Sequence, residues 1–256
     1  ARAVLTLRDG DAVAVLAGLL CDAGFGASQV TVMEALGGPR ERITTGRADA
    51  LTGDFAHPLC AALEVAGPGA ALPLASGRGD DWFESDGQMT KRPVRALTLS
   101  ALAPRQGEHL WDIGGGSGSI SIEWLLSHPS LSATAIEPRA DRADRIRGNA
   151  SRLGVDRLQF VTGAAPEALD GQEAPDVVFI GGGLDAALLG WLEARLAPGT
   201  RLVANAVTLE TEALLLEAQA RRGGDLLRIE LAAAAPLGPR RGWTPSRPVV
   251  QWSVTL

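Results

Sequence analysis

From residue 110 onward the chain alternates between short apolar runs and longer segments whose apolar positions recur every three to four residues. Runs of the first kind predict strands ending at Asp112, over 132–137, 158–162, 176–180 and 201–205. Segments of the second kind predict helices over 119–126 and 140–153, after 183, and through 216. Strands alternating with helices of this length predict a parallel sheet covered on both faces. The last two apolar runs, 226–231 and 249–256, have no helix between them and predict an antiparallel hairpin at one edge of that sheet. The expected fold class is therefore α/β.

The first quarter repeats the alternation on a smaller scale. A strand is predicted over 3–7, an amphipathic helix over 11–24 with Leu16, Leu19 and Leu20 on one face, and strands over 29–35 and 61–65, with Gly37-Gly38-Pro39 as a turn. Residues 1–66 thus form a small α/β unit. The chain opens on Ala1 with a strand almost at once, which suggests the middle of a longer polypeptide. Residues 67–79 are rich in Gly, Pro and small residues without periodicity, as an interdomain linker is, and 80–256 form a second domain. At the start of the latter, Thr90 is the expected N-cap of a helix with Pro93 in its first turn and Leu97, Leu99 and Leu102 on its buried face.

Composition narrows the function. A net charge of -6 and a pI of about 5.2 argue against a nucleic-acid binder or a membrane-surface protein. Cys21 and Cys60 lie in apolar surroundings at no metal-ligand spacing, so they are expected in the core of a protein kept in a reducing, cytoplasmic compartment. No apolar run reaches membrane-spanning length. His57, His109 and His128 fall in no motif, no metal site is expected, and no carboxylate pair or Ser/His/Asp set marks catalytic residues. Against 23 arginines there is one lysine, Lys91, and there is no tyrosine.

The candidate chemistry lies in Asp112-Ile113-Gly114-Gly115-Gly116-Ser117-Gly118, between a strand and a helix. Alternating glycines let the backbone approach a ligand, and the following helix aims its free N–H groups at the same place. The dinucleotide fingerprint G-x-G-x-x-G fails, because its last position falls on Ser119. The spacing that fits is D-x-G-x-G-x-G, and roughly 20 residues on, Glu137 ends the next strand, where such folds set a carboxylate on ribose hydroxyls. On these residues the chain resembles the seven-stranded S-adenosylmethionine-dependent methyltransferases. The resemblance implies S-adenosyl-L-methionine as cofactor, with Asp112 near its cationic methionine end.

A narrower resemblance rests on Met89-Thr90-Lys91 followed by Val94-Arg95-Ala96-Leu97, just ahead of the glycine strand. It is to the precorrin-6Y methyltransferase and decarboxylase modules of cobalamin biosynthesis. Gly163-Ala164-Ala165-Pro166 is similar to their adenine-side loop with alanine in place of its usual acid, and Gly181-Gly182-Gly183 and Asn205-Ala206-Val207-Thr208 match later loops. Pro93 replaces a usual acidic residue. The cofactor-binding set this implies is Thr90, Asp112, Gly114, Gly115, Gly116, Ser117, Gly118, Glu137, Ala164 and Ala165. Residues 1–66, with Gly-Gly-Pro-Arg-Glu-Arg-Ile-Thr inside them, resemble the second half of tetrapyrrole methylases acting on corrin precursors.

The implied reaction is methylation of a precorrin tetrapyrrole at carbon 15 with loss of the carbon-12 acetate carboxylate, by a homo-oligomer. A polycarboxylate substrate calls for cations. Lys91, Arg92 and Arg95 are expected beside the cofactor loop; Arg240, Arg241 and Arg247 flank Trp243 in a hairpin, 236–248, that is expected to form a lid. Two alternatives stand beside this: a tRNA adenine methyltransferase of the same fold, and an interaction module that has lost activity. The loop after the fourth strand lacks the Asn/Asp-Pro-Pro-Tyr of amino-group methyltransferases, and the acidic charge opposes RNA.

Overall fold

The computed structural model describes residues 1–256 as two compact units, Ala1–Leu72 and Pro73–Leu256. The first contains β1 (Arg2–Thr6), α1 (Asp11–Asp22), β2 (Gln29–Glu34), β3 (Arg42–Arg47) and β4 (Leu59–Glu64). Its strands form an antiparallel sheet in the order β1-β4-β2-β3. Alternation along β2 and β4 sends Val30, Val32, Leu59, Ala61 and Leu63 to one face, where they meet Val13 and Leu20 of α1. Two expectations are corrected here. The strand β3 was not predicted, because its sequence, Arg-Ile-Thr-Thr-Gly-Arg, buries no side chain and shows no apolar alternation. Neither cysteine is buried: Cys21 lies on the outer side of α1 and Cys60 on the sheet face away from the core, and both are free thiols.

The second unit opens with α2 (Arg92–Leu102), β5 (His109–Ile113), α3 (Ser119–Ser127), β6 (Ser132–Glu137), α4 (Ala140–Arg152) and β7 (Gln159–Thr162). It continues through β8 (Val177–Ile180), α5 (Ala186–Arg195), β9 (Arg201–Ala206), α6 (Leu209–Arg222), β10 (Asp225–Ile229), β11 (Ala232–Leu237), β12 (Arg240–Pro245) and β13 (Val249–Thr255). A seven-stranded sheet runs β10-β13-β9-β8-β5-β6-β7. Strands β9, β8, β5, β6 and β7 are parallel, and β13 alone is antiparallel to both of its neighbours. The α/β class and the antiparallel edge pair are thus as the pattern predicts. Strands β5 and β8 are buried on both faces because helices cover each side, and β8 is accordingly an unbroken apolar run. Ridges of Leu188, Leu189, Leu192 and Leu215 close one face over Trp111, Ile113 and Ile180.

The N-cap of α2 is Lys91, not Thr90, and no side chain caps it; Leu97 is exposed. The stretch expected as a linker is held at both ends. Gly69 donates its N–H to the Gly24 carbonyl, and Gly77 and Arg78 donate theirs to the buried carboxylate of Glu123 at 2.7 and 2.9 Å. Strands β11 and β12 pair into a two-stranded ribbon of their own, with Leu237 facing Arg240 at its tip. No helix is long and apolar enough to cross a membrane.

Candidate functional site

Parallel strands deliver their following loops to one end of a sheet, and at that end the second unit has a cavity of about 760 Å³. One half is bordered by the loops after β5, β6 and β7: Gly114 to Ser117, Glu137 and Pro138, Ala164 and Ala165. The other half lies over β8, β9, β10 and the start of β13, with Gly181 to Gly183, Asn205, Ile229, Leu231 and Val249. Residues 87–91 and Val94 complete the wall.

The glycine loop is shaped by its neighbours. Gly114 holds φ +77°, and a Cβ there would stand 3.0 Å from both the N and the O of Gly182, so only glycine lets the loops after β5 and β8 touch. At Gly116, with φ +59°, a Cβ would meet nothing closer than 3.8 Å; its absence leaves room for a ligand. Gly118 begins α3 and packs on Ile146 instead of lining the cavity. Asp112 is buried at the end of β5, where its Oδ2 accepts hydrogen bonds from the Ser121 hydroxyl at 2.5 Å and the Ser121 N–H at 3.2 Å. Its Oδ1 and the hydroxyl of Ser117 are buried with no partner, although both residues border the cavity. Burial pushes the Asp112 carboxyl up to about 6, opposed by the Ser121 bonds and reinforced by the nearby charge of Glu137.

Glu137 is positioned by backbone donors, its Oε2 accepting from Gly116 N–H at 2.9 Å and its Oε1 from Arg139 N–H at 3.1 Å. The wall formed by 84–91 is tied down along its length. Asn149 of α4 bonds both the N–H and the carbonyl of Glu84, and also the carbonyl of Ser117 in the glycine loop. Arg142 donates to Asp86 at 2.9 Å and to Gln88 at 2.8 Å. The Gln88 N–H and the Arg142 guanidinium hold the Asp86 carboxyl below its usual range.

Of the expected cofactor residues, Thr90, Asp112, Gly114, Gly115, Gly116, Ser117, Glu137, Ala164 and Ala165 border this one cavity, and Gly118 supports it from behind. The expected substrate cations divide. Lys91 borders the cavity, whereas Arg92 does not. Arg95 is corrected: it is fully buried, donating to Glu123 at 2.6 Å, to Asp80 at 3.1 Å and to the carbonyls of Arg78 and Thr90, with its guanidinium 4.7 Å from the Phe83 ring centre. Its donors are taken up inside the protein, so it orders the wall and is not available to a substrate. Arg240 and Arg241 stand exposed on β12 and do not border the cavity; of the ribbon, only its base, Ser246 and Arg247, does.

Sequence reasoning missed the tethering residues. Glu123 carried a usable signal, the only charged residue of the mostly apolar helix α3, which marks a buried pair. Arg142 and Asn149 carried none, since α4 is polar on most of its surface.

Sheet order and glycine loop define the seven-stranded S-adenosylmethionine-dependent methyltransferase fold. Within that class the chain belongs to the precorrin methyltransferase domain family, whose sequence profile matches residues 81–256. It is 55% identical over 258 residues to a precorrin-6Y C(5,15)-methyltransferase (decarboxylating) of a Sinorhizobium species, across 98% of this chain and 62% of that protein. The chain therefore spans less than two thirds of that relative. A Salmonella typhimurium cobalt-precorrin-6B C(15)-methyltransferase (decarboxylating) is 37% identical over 166 residues, covering 63% of this chain and 85% of its own length. The crystal structure of the C-terminal domain of precorrin-6Y C5,15-methyltransferase from Rhodobacter capsulatus matches with a TM-score of 0.70 and 55% identity, over 72% of this chain and all of that one.

Proposed function

We propose that the second unit is an S-adenosylmethionine-dependent C-methyltransferase that methylates a precorrin-6Y-like tetrapyrrole at carbon 15 and removes the carbon-12 acetate carboxylate. The observation that carries this reading is the orphaned Oδ1 of Asp112, a buried acceptor beside a glycine floor in a chain of the precorrin methyltransferase family. When bound, S-adenosylmethionine supplies an electrophilic methyl group on a sulfonium. A buried carboxylate with one free oxygen fits the positive end of that molecule, and Ser117 offers a second unsatisfied polar group beside it. Gly116 N–H is already turned onto Glu137, which fixes the carboxylate for ribose hydroxyls, and Ala164 and Ala165 give the base an apolar edge. Thr90, Gly114 and Gly115 complete the cofactor wall, while Gly118 sets the start of α3.

What the residues supply to the reaction is orientation and exclusion of water. An electron-rich ring carbon needs no strong protein base at the moment of transfer, and the cavity wall carries no histidine. Residues 1–66 are read as the second half of a tetrapyrrole methylase domain, and the active form as a cytoplasmic homo-oligomer. The test is mass spectrometry of the tetrapyrrole after incubation of the chain with precorrin-6Y and S-adenosylmethionine. One added methyl with loss of carbon dioxide is expected; an unchanged tetrapyrrole contradicts the reading.

A further inference from the structure

The cavity has more wall than the cofactor set uses. Over β9, β10 and β13 that surplus wall has a definite chemistry. Val94, Ile229 and Val249 pack together with Leu231 beside them, and all four border the cavity, so this side presents a continuous aliphatic surface. Topology brings them there: Ile229 ends β10, Val249 begins the antiparallel β13, and Val94 lies in the first turn of α2. At its edges stand two exposed cations, Lys91 at the N-cap of α2 and Arg247 two residues before Val249. The third cation of the cavity, Arg142, is committed to Asp86 and Gln88, but Lys91 and Arg247 have no carboxylate partner in the protein. An aliphatic face between two unpaired cations matches a rigid, largely apolar ring with carboxylates on its rim.

One uncharged polar group sits inside this surface. Asn205, at the end of β9, donates to the Thr98 hydroxyl at 3.0 Å and accepts from Gln251 at 2.9 Å, and Gln251 donates to the same hydroxyl at 3.1 Å. The amide is thereby locked in one orientation, and it borders the cavity without adding charge.

We propose that the Val94–Ile229–Leu231–Val249 face is the acceptor subsite, and that Lys91 and Arg247 are its specificity-determining residues, gripping rim carboxylates of the ring. This rests on the tetrapyrrole reading above and adds the place and the groups that recognise the acceptor. The arginines of the ribbon tip have no part in it.

The test is calorimetric titration of the full chain with a metal-free corrin polycarboxylic acid, with the same ring as its full methyl ester, and separately with S-adenosylhomocysteine. Arg247→Met and Lys91→Met are each expected to weaken the acid about tenfold, the scale of one charge-assisted hydrogen bond, and to leave the ester and S-adenosylhomocysteine unchanged. Because Lys91 is the sole lysine, reductive ¹³C-methylation gives one side-chain signal besides the amino terminus. That signal should shift with the acid and not with the ester. If the unaltered chain binds the acid and both variants match it, the subsite assignment is overturned while the proposed function stands. Variants that lose S-adenosylhomocysteine instead would move the two cations to the cofactor half, which also overturns it. An unaltered chain that binds S-adenosylhomocysteine and no corrin acid removes the tetrapyrrole reading together with the subsite.

Discussion

The two halves of the cavity are built by different means. Over β5, β6 and β7 the wall is mostly main chain, glycines and two carboxylates, delivered by loops that follow one another in sequence. Over β9, β13 and β10 it is made of side chains from positions as far apart as Lys91, Asn205, Ile229 and Arg247. Backbone recognition demands particular residue types at fixed spacing, because only glycine tolerates φ +77° with a neighbouring loop at van der Waals distance. Side-chain recognition makes no such demand on spacing, and the topology alone decides which residues meet.

The arginines sharpen that contrast. Arg95 and Arg247 were both candidates for substrate contact, yet one is a buried tether and the other an exposed rim group. Arg95→Met strips a fully buried partner from Glu123 and should cost about 3–5 kcal/mol in urea-induced unfolding. A loss below about 1 kcal/mol would mean that the buried cluster is not a tether. Arg247→Met should leave the unfolding midpoint where it is.

Next in size is the cofactor half itself. Asp112→Asn keeps the shape and the Ser121 contact but removes the charge, and should weaken S-adenosylmethionine about 10- to 100-fold by calorimetry. An unchanged affinity would take Asp112 out of the site.

The same residue couples binding and stability to pH. Its folded value of about 6 lies above the usual 3.8, so the stability it contributes is present below about pH 4 and lost as pH rises through 6. Over that window the unfolding free energy of the native chain should fall by about 3 kcal/mol relative to Asp112→Asn. Affinity for a cationic ligand runs the opposite way, rising about tenfold per pH unit up to 6 and levelling above it. A difference between the two proteins that stays flat with pH would show Asp112 to be ionised throughout.

The smallest effect is expected at the ribbon tip. Arg240→Ala with Arg241→Ala should change corrin-acid affinity by less than about 0.5 kcal/mol, as for exposed surface positions. A tenfold loss would restore the lid that the sequence suggested.

Much of this was legible in the sequence, and the reason differs by region. Strands β5, β6, β8 and β9 were readable because burial on both faces keeps most of their positions apolar, and the glycine loop because its strain excludes other residues. The strand β3 was not, since an edge strand with exposed side chains carries no apolar signal. Nor could spacing separate Arg95 from Arg92: the first faces Glu123 inside the fold and the second faces outward, a difference set by how α2 packs on α3. Arg247 was seen as part of the ribbon, but its place at the ribbon's base depends on where β13 begins.

The division of the cavity into two independent halves is tested most directly by titrating the corrin polycarboxylic acid into the chain alone and into the chain saturated with S-adenosylhomocysteine. Binding in a one-to-one ratio in both titrations, with affinity equal or higher in the second, is the predicted result. Displacement of one ligand by the other would contradict it, because the glycine-floored half and the aliphatic half would then be a single site.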